Sequence, residues 1–281
     1  MAVATLACFG CGFEDGLDDE EDTVSTSSAL LPSVYKIAVQ SSATSSIEAP
    51  GKCSPSPGQG GNLIEEGQRF LGKCEGAGLP PQVVGTTGNR YLRFRTDPNV
   101  SAAKDRTELM VNQEYFPFGQ RVYVGFELMI PSGTDDTNDY FYLMQLWQCS
   151  PASPIGGVRV SRGKGNGHTI NFLTRGDFSE NSFGSTTLKP GVWHTFIISY
   201  VVWPRGGEGE VKVWVDRSPD PIVVNASFGY FNRDTCVEGE RPPQHFRVKF
   251  GMYKGNEPGS RFESRLRNMR IGTSYKSVRP W

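Results

Sequence analysis

From residue 89 onward, apolar and polar residues alternate in short runs closed by Gly, Pro, Asn or Asp. An apolar residue at every second position is the period of a strand with one buried face, and no stretch sustains a helical period. The pattern predicts strands over 89–96, 106–112, 120–130, 140–148, 157–162, 168–175, 193–203, 210–216 and 245–254. Lys164-Gly-Asn-Gly167 and Gly206-Gly-Glu-Gly209 read as hairpin turns between successive runs. So many strands predict an antiparallel all-β protein of two packed sheets rather than a small barrel.

Residues 24–88 keep no period and are rich in Ser, Gly and Pro. Their one apolar patch, NLIEEGQRFLG, is expected to form a turn or two of helix. The whole chain, 1–281, is read as a single domain carrying 25–88 as a loop-rich, disulfide-tied excursion.

Strand parity sorts the side chains. In 245–254, Phe246, Val248, Phe250 and Met252 form an apolar face, and Arg247, Lys249, Gly251 and Tyr253 share the other. Arg106 and Glu108 oppose Thr107, Leu109 and Val111. Gln145 and Trp147 oppose Met144 and Leu146, and Asn171 and Arg175 oppose Ile170 and Phe172. If these strands are neighbours, one sheet carries cations, amides and an aromatic hydroxyl on one face.

Charge adds a second hint. The net charge is −1, which points to neither nucleic acid nor a membrane surface as partner. Yet Glu14 to Asp22 is an acidic run, whereas residues 241–281 hold ten Lys and Arg against Glu257 and Glu263. A local basic face on a near-neutral protein fits an acidic polymer, and an ordinary solvated surface fits equally well.

Cys8, Cys11, Cys53, Cys74, Cys149 and Cys236 form an even set, which suits disulfides and an extracellular setting. Cys53–Cys74, closing the excursion, is the favoured pair among 15 possible pairings. Sequons at Asn99 and Asn225 are compatible with secretion. The start, MAVATLACFGC, is apolar but lacks the basic segment of a signal peptide. Asp135, Asp136, Asn138 and Asp139 offer clustered oxygens for a structural calcium, but without a binding-loop spacing they read first as a solvated turn.

The strands RTEL (106–109), MQLW (144–147) and VKFGMYKG (248–255) resemble the signature strands of jelly-roll polysaccharide lyases. Those families carry R-x-E-L, Q-x-H and K-x-G-x-Y. The opening GFEDGL and the order of PFGQRVYVGFELMIP, VWHTFIISYVVWP and GEVKVWVD are similar to the heparin-lyase-like and glucuronan-lyase-like group. The resemblance covers residues 12–24 and 89–275 and implies a concanavalin-like antiparallel β-sandwich. It also implies β-elimination across a uronate linkage in an acidic polysaccharide, by a secreted monomer that requires no cofactor.

By that resemblance Arg106 and Gln145 neutralise the uronate carboxylate, and Tyr253 serves as base, acid or both. A free tyrosine has a pKa of about 10, so it needs nearby cations to act as a base near neutrality. Lys249, Arg247 and Arg175 are placed to supply that field. Glu108 orients Arg106, Trp147 offers a sugar-stacking or packing surface, and Asn171 and Lys254 join the binding face. One departure stands out: Trp147 occupies the position of the family's histidine. Of His168, His194 and His245, His168 is the one expected to stand in for it.

Three rivals remain at this point. A retaining glycoside hydrolase would need two carboxylates on one strand face, and no strand has that pattern. A non-catalytic, lectin-like domain would keep the aromatics and cations without the Tyr–Arg–Gln set. A structural surface domain whose basic end meets an acidic partner is the third reading.

Overall fold

The computed structural model describes strands at 34–37, 47–48, 62–65 and 68–75. From residue 78 it describes all but 87–88, 100–104, 112–115, 135–140, 148–153, 162–166, 175–180, 205–208, 226–228, 231–244 and 255–260. The chain divides into units at Met1–Leu30 and Leu31–Trp281, and every described residue lies in the second. The GFEDGL opening, the first three residues of each glycine-rich turn, Arg175, the Asp135–Asp139 segment and five of the six cysteines fall outside the described residues, as do the side chains of Cys74, His245 and Lys254.

Among the described residues there is no helix, and two large antiparallel sheets form a β-sandwich. Strands are numbered in chain order. The first sheet contains β1 (Val34–Ile37), β5 (Gln82–Val84), β6 (Tyr91–Arg95) and β9 (Arg121–Met129). It continues with β14 (His194–Val201), β16 (Glu210–Val215), β17 (Val223–Asn225) and β20 (Glu263–Gly272). Its order is β17-β16-β14-β9-β20-β6-β5, with β1 also on β20.

The second sheet contains β2 (Ile47–Glu48), β3 (Asn62–Glu65), β4 (Gln68–Glu75), β7 (Asp105–Val111) and β8 (Phe116–Pro117). It continues with β10 (Phe141–Trp147), β11 (Gly156–Ser161), β12 (His168–Thr174), β13 (Asn181–Leu188) and β19 (His245–Lys254). Its order is β13-β12-β11-β10-β19-β7-β4-β3-β2, with β8 also on β19. A small parallel pair, β15 (Trp203–Pro204) and β18 (Gly229–Tyr230), stands apart.

The core lies between the two inner faces. Phe126 meets Phe250 at 5.9 Å between ring centroids, Phe172 meets Phe196 at 6.5 Å, and Phe141 meets Phe262 at 5.1 Å. Each pair joins one sheet to the other, which is what inward-facing alternate residues achieve in aligned sandwiches. The long apolar runs of β9 and β14 have a second cause: their outer face is covered as well. Ile197 and Ser199 on that face are buried, and a Cβ on Gly125 would collide with the Val278 carbonyl, so the C-terminal segment lies directly on the sheet.

Several expectations are corrected here. The NLIEEGQRFLG patch is not helical: Asn62–Glu65 pairs with Gln68–Leu71 as a hairpin on the second sheet. Only Glu66 and Gly67 separate the strands, and a two-residue link of this kind favours a hairpin over a helical turn. Residues 263–272 form β20, in the middle of the first sheet. Leu266, Met269 and Ile271 are buried, but Asn268 has φ 53° and the register shifts there, which breaks the period of two.

The basic C-terminal stretch therefore makes no single face. Arg247 and Lys249 stand on β19, while Arg265 and Arg267 stand on β20 of the opposite sheet. Arg265 pairs with Glu263 at 2.7 Å and Arg267 with Glu127 at 2.8 Å, so both are drawn into local ion pairs. Trp193 and Trp214, which a strand-rich sandwich would be expected to bury in its core, lie outside it. Trp214 alternates with buried Val211, Val213 and Val215, and meets Tyr275 on the outer side. Trp193 lies under the Arg267 guanidinium at 4.2 Å.

Candidate active site

The chain order of the second sheet does the assembling. β19 inserts between β10 and β7, so the three motif strands become direct neighbours although they are far apart in sequence. Register then fixes the partners: Tyr253 faces Arg106, Gly251 faces Glu108, Lys249 faces Gln145, and Arg247 faces Trp147. Paired residues of antiparallel strands point to the same side, so these side chains share the outer face of the sheet.

Glu108 is the buried centre of the set, with 3% of its surface exposed. Gln145 Nε2 donates to Glu108 Oε1 at 2.7 Å, and Arg106 Nε stands 3.3 Å from Glu108 Oε2. A buried carboxylate is tolerated when it is both charge-paired and hydrogen-bonded, and here two strands supply those partners. The contact with Arg106 is made through Nε. Gln145 carries two amide donors, so holding Glu108 uses one of them.

The Arg106 guanidinium sits 4.4 Å above the Tyr253 ring. Lys249 is buried, and its ammonium lies 4.2 Å from the centre of the Trp147 ring, with Arg247 at 5.8 Å from the same ring. Trp147 thus occupies the family's histidine position as a cation platform rather than as a titrating group. Burial pushes the Arg247 guanidinium below its ordinary pKa.

Two further residues join this face. Tyr142 should point inward with Met144 and Leu146, but the register of β10 shifts between Tyr142 and Met144 against both neighbouring strands. Its ring stacks on that of Tyr253, with centroids 6.2 Å apart and planes 22° apart. Gly157 makes room, since a Cβ there would press on the Tyr142 ring at 3.3 Å. Arg159 faces Tyr142 from β11. The Gly156-Gly157 pair inside a strand was the available sequence signal for a close approach of this kind.

Asn171 is on β12, facing Arg159, and its Nδ2 donates to Ser161 Oγ at 2.6 Å. It belongs to the same face, two strands beyond the motif set. His168 is not brought there: it is three residues from Asn171, on the parity of Ile170, and faces the buried Leu188. His194 is on β14 of the other sheet. The Lys189 amide donates to its Nε2 at 3.1 Å, so its Nδ1 carries the proton toward Asp216 at 2.7 Å. Among the described residues, no cluster of His, Cys, Asp and Glu offers a metal site.

A family described as polysaccharide lyase matches residues 81–266, which contain every residue of this set. The chain belongs to that polysaccharide lyase family. It is an enzyme that cleaves a polysaccharide, on an all-β sandwich. Sequence comparison with curated proteins finds no match. Among solved structures, the lyase is similar to an alginate lyase from Pseudomonas aeruginosa at 13% identity, with a TM-score of 0.44 over 66% of this chain and 83% of that one. It is similar to the family 7 alginate lyase A1-II' at 12% identity, with a TM-score of 0.42 over 76% and 83%. It is also similar to the receptor-binding domain of a botulinum neurotoxin of mosaic serotype C/D at 12% identity, with a TM-score of 0.42 over 75% and 45%. Likenesses at this level carry no argument about substrate.

Proposed function

We propose that the lyase cleaves a uronate-containing acidic polysaccharide by β-elimination, with Tyr253 moving the proton. The observation that carries this reading is the facing pair of Tyr253 and Arg106 beside the Gln145–Glu108 hydrogen bond. Arg106, Gln145 and Lys249 bring positive charge and N–H donors to where a uronate carboxylate, and the enediolate it becomes, carry negative charge. Tyr253 takes the C5 proton, the electron pair forms the C4–C5 double bond, and the C4–O bond breaks. The leaving oxygen takes a proton from the Tyr253 hydroxyl. Glu108 does not touch substrate in this scheme; it fixes Arg106 and Gln145.

Arg247 and Trp147 extend the binding face along the strands, and Asn171 extends it across them. The scheme is written for a monomer and requires no cofactor. An acidic glycan substrate and six cysteines favour an extracellular setting. The test is incubation with a panel of acidic polysaccharides followed by mass spectrometry. Elimination gives fragments whose masses sum to that of the parent, whereas hydrolysis adds one water per cut. Bound polymer with no cleavage on the whole panel would instead favour a glycan-binding sandwich.

A further inference from the structure

The residues facing one another across the second sheet form a continuous row, Asn171–Arg159–Tyr142–Tyr253–Arg106, over five adjacent strands. Strands β10 to β13 contain no Asp or Glu, and Arg159 is their one Lys or Arg. Asn171 faces it from β12 and donates to Ser161. Arg159 is two strands from Tyr253, roughly 10 Å at ordinary strand spacing, while Arg106 is one strand away on the other side. That span is bridged by a disaccharide unit rather than by one sugar ring.

We propose that Arg159, with Asn171 and Ser161 beside it, is a subsite for the anionic group of a sugar residue other than the one being cleaved. The inference rests on the lyase reading above and deepens it: the substrate carries repeated negative charge, and its chain crosses the strands along this row. Guanidinium suits either a carboxylate or a sulfate ester, because both offer paired oxygens to its N–H fork.

The experiment is calorimetric binding of oligouronates of increasing length, unsulfated and sulfated, to Tyr253→Phe protein with and without Arg159→Ala. Without the Arg159 change, affinity rises stepwise once an oligomer is long enough to reach β11. Arg159→Ala removes that step, about tenfold, the order expected for one charge-assisted hydrogen bond. Arg159→Lys keeps part of it, and Arg159→Gln, which keeps a polar amide but not the charge, does not. Loss of the step for the sulfated ladder alone identifies sulfate as the anion; loss for both identifies the carboxylate. Equal weakening at every length, or none, overturns the subsite. Binding is read without turnover, so an unmodified enzyme that cleaves no oligouronate would refute the elimination reading while the length dependence still decides the subsite.

Discussion

Gln145 and Glu108 hydrogen-bond at 2.7 Å although a whole strand, β19, runs between the strands that carry them. Gly251 lies on β19 between them and faces Glu108. Gly251 holds φ +135°, and a Cβ there would run into the Thr107 carbonyl and the Glu108 Cα. Glycine is required by both backbone and space. Gly251→Ala is expected to cost more than about 2 kcal/mol, a fall of roughly 5 °C in Tm, measured by thermal unfolding. Activity per folded molecule should drop as well, since Tyr253 and Lys249 flank the glycine.

Glu108→Gln keeps the shape of the buried group and removes its charge. Arg106 then loses the anion that fixes its orientation beside Tyr253. The expected result is a fall of about 100-fold in kcat with a smaller change in KM, the size seen when a positioned group drifts by an ångström. Steady-state kinetics on the preferred polymer measure it.

Trp147 holds Lys249 by its ring face. Trp147→Ala removes a cation–π contact of about 1 kcal/mol and a potential sugar platform. KM should rise several-fold to tenfold, and kcat should fall less. Trp147→Phe should recover most of the loss, which separates the ring's role from that of the indole N–H.

His194 predicts a contrast with the catalytic face. His194→Ala breaks the links to Lys189 and Asp216 on the first sheet, and should lower stability by about 2 kcal/mol while leaving kcat unchanged. Circular dichroism melts and kinetics on the same preparation separate the two effects.

Acid should remove one surface clamp. Burial raises the Glu210 pKa, but hydrogen bonds from Lys212 and Arg121, and their charges, outweigh it and hold the carboxyl below its ordinary value. A folded-state pKa below the unfolded one contributes stability above the unfolded pKa, and that contribution is lost as pH falls through the folded value. The Tm difference between wild type and Glu210→Gln is therefore largest near neutrality, about one or two degrees for a partly exposed pair, and closes in acid.

How far the sequence spoke depends on where the period of two survives. β19, β7 and β14 alternate cleanly or run apolar, and their existence and the faces of Tyr253, Arg106 and Gln145 were legible. β20 carries arginines at alternate positions and a bulge at Asn268, so a central strand reads as a basic tail. Tyr142 was hidden for the same reason, one register shift moving it from the core face to the outer one. The neighbour relation of β7, β19 and β10 is set by crossovers between strands far apart in sequence, which no local pattern records. Arg159 followed from that relation and could not precede it.

The most direct test of the central claim is the ultraviolet absorbance of an unsaturated uronate during digestion of an acidic polysaccharide by wild type and Tyr253→Phe. The account predicts a rising signal with wild type and a loss of about 1,000-fold or more with Tyr253→Phe, which keeps the ring over Arg106 but has no proton to move. Undiminished product formation by Tyr253→Phe would contradict it, because the hydroxyl would then take no part in the elimination.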